Sequence, residues 1–188
     1  MFLLYAVAIG FVVGLLTGGR PAGLARLQFR WSLLVLAGFA TQLALFSEPV
    51  SDRIGDLGPA IYLGSTAVVL VAVLRNARLP GLPIVALGSI SNLAAIVANG
   101  GYMPAAAAAQ QALGRGAPTT YSNSAIVEAP HLAPLTDIFA LPSWLPLANV
   151  FSIGDVLIGV GVIVAIVLSM RAAGRGAPRN LPLAPAGR

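Results

Sequence analysis

The sequence has no cysteine, no lysine and a single histidine, His131. The absence of cysteine excludes disulfides, thiolate nucleophiles and zinc or iron–sulfur centres held by cysteine. A single histidine excludes a multi-histidine metal site within one chain. Any catalysis therefore has to use carboxylates, amides, hydroxyls, arginine or a borrowed cofactor, and the sequence itself predicts no bound metal and no cofactor.

Charge is also scarce. Of the 188 residues, 9% are charged and 57% are hydrophobic, and the mean hydropathy is +0.88. A soluble domain carries about a quarter charged residues, so we expect lipid to surround much of this chain. The net charge of +5 comes from arginines that stand in short clusters between apolar runs. A nucleic-acid-binding protein gathers basic residues on one face of a soluble core, so no nucleic-acid partner is predicted.

Five apolar stretches are candidates for crossing a bilayer, whose core of roughly 30 Å needs about 17 to 25 mostly apolar helical residues. They cover about residues 2–17, 31–46, 59–74, 82–98 and 149–170. The sequence therefore predicts an all-α fold. We expect a polytopic transmembrane helical bundle with five spans in residues 1–172, followed by a disordered cytoplasmic tail over residues 173–188.

The positions of the arginines predict the orientation of this bundle. Nine arginines lie in the first connection, the third connection and the tail, whereas two lie in the second and fourth connections. Because cytoplasmic loops are enriched in basic residues, we expect the amino terminus outside a bacterial inner membrane and the carboxyl terminus in the cytoplasm. No basic residue precedes the first apolar stretch, which therefore reads as a retained span and not as a cleaved signal peptide.

The fourth connection, residues 99–148, is too long to be a turn. Its run of five alanines, Ala105 to Ala109, predicts a short helix. Its second half mixes prolines with large apolar side chains, namely Phe139, Leu141, Trp144 and Leu145. Proline disfavours a further span and tryptophan favours the headgroup zone, so we expect this half to lie along the outer membrane interface.

Small and polar residues within the spans are expected to serve packing first. Gly10, Gly14 and Gly18 recur at every fourth residue, which predicts close helix packing within the chain, with homo-oligomerisation through the same face as the alternative. Gln42 in the second span and Ser65 in the third are expected to form hydrogen bonds between helices or back to carbonyls.

Asp155 carries the clearest functional signal. It lies about six residues inside the predicted fifth span, where an ionisable group is costly and normally faces a bundle interior or a wet cavity. Asn149 and Ser152 precede it at spacings of three, so all three would share one face of a continuous helix. The structural alternative is that Asp155 caps a helix or bonds a neighbouring span.

Asn92 and Asn99 share a face of the fourth span because they are seven residues apart. If the fourth and fifth spans are neighbours, Asn92 and Asp155 lie at one level, and Asp137 of the outer loop comes close to them. We therefore predict a polar pocket near the outer leaflet, with Asp155 and Asp137 as the candidate catalytic residues. The predicted ligand-binding residues are Asn92, Asn99, Asn149, Ser152 and Asp155.

Two segments at the outer ends of these spans carry a resemblance. They are residues 98–104, with the sequence ANGGYMP, and residues 147–158, with the sequence LANVFSIGDVLI. Together with the Gly18-Gly19-Arg20 turn, they resemble a family of bacterial membrane proteins known as a domain of unknown function. The resemblance covers about residues 1–172, and it implies a membrane protein without indicating a reaction.

A more distant resemblance concerns residues 151–155, with the sequence FSIGD, and residues 88–93, with the sequence GSISNL. The first is similar to the Phe-Asn-x-Ala-Asp motif of lipoprotein signal peptidases, which supplies one of two catalytic aspartates, and the second is similar to their Gly-Asn-Leu-x-Asp-Arg motif. The chain departs from that pattern, because Ala95 and Ile96 stand where the other aspartate and the arginine are needed. By this resemblance a dyad is complete only if Asp137 supplies the second carboxyl.

Three functional hypotheses follow. The leading one is a membrane protein without enzymatic activity whose polar pocket binds a lipid, a lipidated peptide or a membrane partner. The first alternative is an intramembrane aspartic hydrolase related to lipoprotein signal peptidases, in which Asp155 and Asp137 share the acid and base roles. The second alternative is a transporter component, which the lack of an evident inverted repeat disfavours.

Overall fold

A computed structural model describes residues 2–114, 124–127 and 129–175 of the chain. In these residues the fold is mostly helical. The α-helices are α1 (Phe2–Leu16), α2 (Ser32–Leu45), α3 (Glu48–Ile54), α4 (Gly58–Arg75), α5 (Leu82–Ala98), α6 (Ala107–Ala112) and α7 (Ile153–Arg175). The strands are β1 (Met103–Ala105), β2 (Ser124–Ile126), β3 (Phe139–Ala140) and β4 (Val150–Phe151). Short 3-10 helices cover Pro21–Arg26, Gly55–Leu57 and Ala133–Leu135.

The five predicted spans correspond to α1, α2, α4, α5 and α7. The first four of these helices begin and end within one residue of the predicted bounds. The predicted alanine helix corresponds to α6, which begins two residues later than predicted because Ala105 belongs to β1. The strands were not predicted. They form two small sheets, in which β1 pairs with β2 in parallel and β3 pairs with β4 antiparallel.

The last helix differs from its prediction at both ends. α7 begins at Ile153 and not near Asn149, because β4 is extended and pairs with β3. α7 ends at Arg175, so the helix continues into the first residues of the predicted tail. The remainder of that tail, residues 176–188, lies outside the described residues.

Two helical stretches of the described chain are long and apolar enough to cross a membrane, Glu48–Arg75 and Ile153–Ala173. The first joins α3 to α4 through a 3-10 turn. α1, α2 and α5 are also apolar but have 15, 14 and 17 residues, which is at or below the lower limit of the roughly 17 to 25 residues that a span needs. By length and composition, two spans are therefore supported, and the five-span arrangement stays a prediction.

α7 packs against both α5 and α1. Gly81, just before α5, lies against Gly161, and Gly88 lies against Gly154, so α5 and α7 run antiparallel. These are contacts between backbones, since a Cβ atom on Gly88 would overlap the carbonyl oxygen of Gly154. Glycine is needed here because any side chain would push the two helices apart.

α1 runs parallel to α7, with Gly10 against Ile163 and Gly14 against Met170. A Cβ atom on Gly10 would lie 3.1 Å from the Cα of Ile163. This is the packing within the chain that the glycine spacing predicts. Gly18 lies beyond the end of α1 with φ +79°, and nothing lies within 4 Å of its Cβ position. Homo-oligomerisation through this face stays a prediction.

α4 packs against both α2 and α5, so it links α2 to the rest of the bundle. Gly38 of α2 lies against Val69, and the Gln42 amide donates a 3.3 Å hydrogen bond to the Ser65 hydroxyl, so α2 and α4 run antiparallel. The predicted bond between helices from Gln42 is thereby confirmed. The turn after α5 lies against Pro59 at the start of α4, so α4 and α5 also run antiparallel. Since α1 and α7 are parallel to each other and α7 is antiparallel to α5, successive long helices alternate in direction.

This alternation gives the bundle two chemically different ends. The arginine end, where α1, α4 and α7 terminate, carries Arg20, Arg26, Arg30, Arg75, Arg78 and Arg171. The acidic end, where α4 and α7 begin, carries Glu48, Asp52, Asp56, Asp137 and Asp155, together with Arg53.

Large apolar side chains face outward while small residues fill the helix contacts. Ala72 and Ala95 are completely buried, whereas Leu16 and Leu33 are 81% and 79% exposed. Exposed large apolar side chains occur on all five long helices and include Leu4, Leu36, Val71, Leu87 and Val160.

The described residues between α5 and α7, 99–114, 124–127 and 129–152, form a cap on the acidic end. Ala105, Ala109 and Val150 form the small core of this cap. Met103 joins Ile96 of α5 in a second apolar cluster, which attaches the cap to the bundle. In the half that was predicted to lie on the membrane, Phe139 and Trp144 are exposed, and Leu141 and Leu145 are partly buried.

Candidate functional site

Ser152 and Asp155 form a reciprocal cap at the start of α7. The Ser152 hydroxyl accepts a 3.0 Å hydrogen bond from the Asp155 backbone N–H, and the Asp155 Oδ2 accepts a 3.0 Å bond from the Ser152 backbone N–H. This arrangement is a capping box with aspartate in place of the usual glutamate, and it satisfies two backbone donors that a helix start leaves free.

Asn92 connects this cap to α5. Its Nδ2 donates a 2.9 Å hydrogen bond to Asp155 Oδ1, and its Oδ1 accepts a 2.8 Å bond from the Ser152 hydroxyl. The amide orientation is determined by its partners, because the reverse orientation would place two acceptor oxygens against each other. Asn92, Ser152 and Asp155 therefore form one closed network, which we name the polar cluster.

Glycine allows the two helices to approach at this point. A Cβ atom on Gly154 would overlap the Oδ1 of Asn92, and it would also lie 2.8 Å from the carbonyl oxygen of Gly88. A larger residue at either glycine would displace the Asn92 amide from the carboxylate. The polar cluster thus depends on the packing of α5 against α7.

The Asp155 carboxylate has acceptor capacity left. Asp155 and Asn92 are partly exposed, whereas Ser152 is completely buried. An ionised carboxylate offers about four acceptor positions, of which Asn92 Nδ2 and the Ser152 N–H occupy two. A further contact of 3.2 Å from the Ser152 hydroxyl competes for the proton that Asn92 receives. The arrangement can therefore accept additional N–H or O–H donors.

Within the described ranges, no basic side chain donates a hydrogen bond to Asp155. The negative charge is stabilised by the Asn92 amide, by a backbone N–H and by the amino-terminal end of α7, where the helix dipole favours an anion. A ligand that carries positive charge or hydrogen-bond donors would add a counterpart that the described part of the chain does not place on this carboxylate.

The position of Asp155 differs from the sequence prediction. It is the third residue of α7 and does not lie about six residues inside a span, because the helix begins at Ile153. It lies at the acidic end, in the first turn of α7. Both parts of the structural alternative are found, since Asp155 caps α7 and also bonds the neighbouring helix α5.

Asn149 does not share a helical face with Ser152 and Asp155 as predicted, because it precedes β4. Its Nδ2 donates a 2.6 Å hydrogen bond to the carbonyl oxygen of Val150, and its buried Oδ1 has no hydrogen-bond partner among the residues that the structure describes. The structure therefore does not bring Asn149 into the polar cluster.

Asn99 binds the cap instead of the polar cluster. Its Oδ1 accepts a 2.9 Å hydrogen bond from the His131 N–H, and its Nδ2 donates a 2.9 Å bond to the His131 carbonyl. The same Nδ2 also donates to the carbonyl of Ala95 in the last turn of α5. Asn99 is thus a positioning residue that fixes the cap to the end of α5.

Asp137 lies in the cap and is buried. Its backbone N–H donates to the carbonyl of Pro104 and its carbonyl accepts from the N–H of Ala106. Phe139 pairs with Phe151, and this antiparallel register leads Asp137, two residues earlier, towards the first residues of α7. The structure thereby brings the Asp137 segment to the same end as Asp155, and a catalytic role for either residue stays a prediction.

One signal for this site was present in the sequence. Serine followed three residues later by an acidic residue, just before an apolar run, is the pattern of a capping box. Applied to Ser152 and Asp155, it places the helix start at Ser152 and not at Asn149. Within the described ranges, no three His, Asp or Glu side chains come together as a metal site.

Comparison with known proteins gives a family but no activity. No curated protein and no solved structure matches the chain. The relation to lipoprotein signal peptidases and the transporter hypothesis therefore stay predictions. A match to the Family of unknown function (DUF5317) covers residues 26–167. This range includes all three residues of the polar cluster. The chain therefore belongs to the DUF5317 family, a family of unknown function.

Proposed function

We propose that this protein is a five-span integral membrane protein of the bacterial inner membrane, with its acidic end outside and its arginine end in the cytoplasm. The alternating directions of the five long helices support it, because they collect the arginines of three separate segments at one end. Basic residues favour the cytoplasmic side of a membrane.

The distribution of apolar side chains also supports a lipid environment. Each large apolar side chain held in water forgoes roughly 1.5 to 3 kcal/mol of burial, and such side chains are exposed on all five long helices. Helices in membranes pack through glycine and alanine, as α5 and α7 do at Gly88 and Gly154. A helix as short as α2 spans about 21 Å, and a bilayer can adapt to it by local thinning.

The function that we propose is the binding of an amphiphilic ligand, a lipid or a lipidated peptide, at the polar cluster. One observation carries it: among the described residues, the partly exposed Asp155 carboxylate accepts its bonds from Asn92 and Ser152 and none from a basic side chain, which leaves acceptor positions for a ligand. Ile153 and Val156, its neighbours in α7, are exposed and apolar. A ligand could place N–H or O–H donors on Asp155 and its acyl chain along such apolar side chains.

The test uses the full chain in phosphatidylcholine nanodiscs with two probes, phosphatidylethanolamine and a synthetic diacylglyceryl lipopeptide. Binding is measured by native mass spectrometry. Replacing Asp155 with Asn keeps an acceptor for the Ser152 N–H and removes the charge, so affinity should fall by about tenfold or more. The matched control is Asp52→Asn, which alters an exposed carboxylate in α3 and should bind like the parent chain. Equal affinity in all three proteins would contradict binding at Asp155.

A second candidate, an aspartic hydrolase, is favoured by the β3–β4 register that leads Asp137 towards the start of α7. In such a reaction one carboxyl takes a proton from water and the other gives a proton to the leaving amine. The same lipopeptide probe tests this candidate. Cleavage products that are lost in both Asp137→Asn and Asp155→Asn would support it, whereas an intact probe with the parent chain would exclude cleavage of that substrate class.

A further inference from the structure

Asn76 ties the chain before α2 to the end of α4 at the arginine end. Its Nδ2 donates to the carbonyls of Arg30 and Ala72 at 2.7 and 2.8 Å, and its Oδ1 accepts a 2.8 Å hydrogen bond from the Arg30 N–H. Asn76 is only 4% exposed. Because both polar atoms of a buried amide are used, the backbone of Arg30 is held in one place.

This tie brings three exposed arginines to one region. Arg75 precedes Asn76, Arg78 follows two residues later, and Arg30 is bound directly by the Asn76 side chain. The guanidinium carbon of Arg75 lies 5.9 Å from the centroid of the Trp31 ring, which is the distance of a cation–π contact. Trp31 itself is 50% exposed.

The described residues place no carboxylate at this end of the bundle, since all their acidic side chains lie at the acidic end. No acid of the described residues therefore offsets the three guanidinium groups. Arg75 in the last turn of α4 also stabilises the negative end of that helix dipole. That effect accounts for Arg75 alone. It does not explain the exposed Arg30, whose backbone Asn76 holds, or the exposed Arg78, two residues after Asn76.

We propose that Arg30, Trp31, Arg75 and Arg78 form a binding site for the phosphate headgroup of an anionic phospholipid in the cytoplasmic leaflet, such as phosphatidylglycerol. The planar guanidinium group binds phosphate oxygens in pairs. Tryptophan favours the headgroup level of a membrane, and arginines next to a span are attracted by anionic lipid. The proposal rests on the membrane location proposed above and is independent of ligand binding at Asp155.

The chain offers a direct reporter for this site, because it contains two tryptophans at opposite ends, Trp31 and Trp144. In a Trp144→Phe background, only Trp31 fluoresces as tryptophan. The full chain is placed in phosphatidylcholine vesicles that contain brominated-chain phosphatidylglycerol or, separately, brominated-chain phosphatidylcholine. Quenching of Trp31 then reports which lipid occupies its surroundings. We expect phosphatidylglycerol to be preferred by about tenfold.

Two triple variants separate a local site from a diffuse attraction. The first variant, Arg30→Gln/Arg75→Gln/Arg78→Gln, should abolish the preference for phosphatidylglycerol. The matched control Arg20→Gln/Arg26→Gln/Arg171→Gln removes the same charge from the same end and should keep it. Equal loss in both variants, or no preference in the parent, would overturn the proposal.

Three further readouts keep the test decisive. Unchanged quenching by brominated phosphatidylcholine verifies that a variant still inserts into the membrane. If a triple variant does not insert, the single variant Arg78→Gln replaces it, and a smaller loss of the preference for phosphatidylglycerol is expected. Relief of the preference by millimolar inorganic phosphate would overturn a lipid ligand in favour of a soluble anion. Absence of quenching by either lipid would overturn the membrane location as well, and so distinguishes the two proposals.

Discussion

Asn92 of α5 and Asp155 of α7 are joined by a 2.9 Å hydrogen bond from amide to carboxylate, next to the backbone contact between Gly88 and Gly154. The bond connects residues that are 63 positions apart in the chain. It orients the carboxylate that we propose as the ligand-binding group, and it links the start of α7 to its antiparallel neighbour.

Replacing Asn92 with Ala is expected to lower the free energy of unfolding by about 1 to 3 kcal/mol, because a carboxylate and a buried hydroxyl both lose a partner. The measurement is denaturant unfolding of the full chain in detergent. Thr41→Ala is the matched control, since the Thr41 hydroxyl bonds only a carbonyl of its own helix. If the two variants lose equal stability, the polar cluster has no special structural weight.

Replacing Gly154 with Ala is expected to destabilise the protein, because the added methyl group overlaps the Asn92 amide. Gly64→Ala is the opposite case. Gly64 lies within α4 and nothing lies within 4 Å of its Cβ position, so alanine there should add up to about 1 kcal/mol of stability. Thermal unfolding of both variants tests the prediction, and a stable Gly154→Ala protein would contradict the helix contact.

Topology reporters fused after Arg78 and after Arg171 should both report a cytoplasmic location. A reporter fused after Asp56 should report the outside, because a complete span, α4, separates Asp56 from Arg78. A pair of enzymes active only on opposite sides of the membrane serves as the measurement. An outside signal after Arg78 would invert or abolish the proposed orientation.

Replacing Asn99 with Ala is expected to loosen the cap, since three hydrogen bonds, two of them to His131, are lost. Limited proteolysis of the protein in membranes should then cut residues 129–148 faster than in the parent chain. Gln111→Ala, at an exposed position of α6, is the control and should leave the rate unchanged. Equal rates for all three proteins would show that Asn99 does not hold the cap.

Helix positions could be predicted closely because they depend on local patterns. Apolar runs bounded by glycine, proline and arginine determine where α1, α2, α4 and α5 begin and end. α7 is the exception at its start. The residues before it have the apolar character of the span, and the pairing of Phe139 with Phe151, together with the Ser152 cap, makes them extended.

The candidate site was predicted only in part, for a related reason. Asn92, Ser152 and Asp155 were all named, but so were Asn99 and Asn149, which the structure assigns to other partners. A seven-residue spacing places Asn92 and Asn99 on one helix face. It cannot indicate that the cap segment reaches one of them and α7 the other.

The sequence by itself determined the helical class, the segregation of arginine to alternate connections and the set of polar residues available near the acidic end. These properties follow from composition and short-range periodicity, which any single helix expresses on its own. Only the tertiary structure decided that Asp155 bonds Asn92 of α5, and that Asn76 holds the backbone of Arg30 at the end of α4. Those bonds join distant segments, and they form only where glycine lets two backbones approach or where the end of one helix meets the start of another.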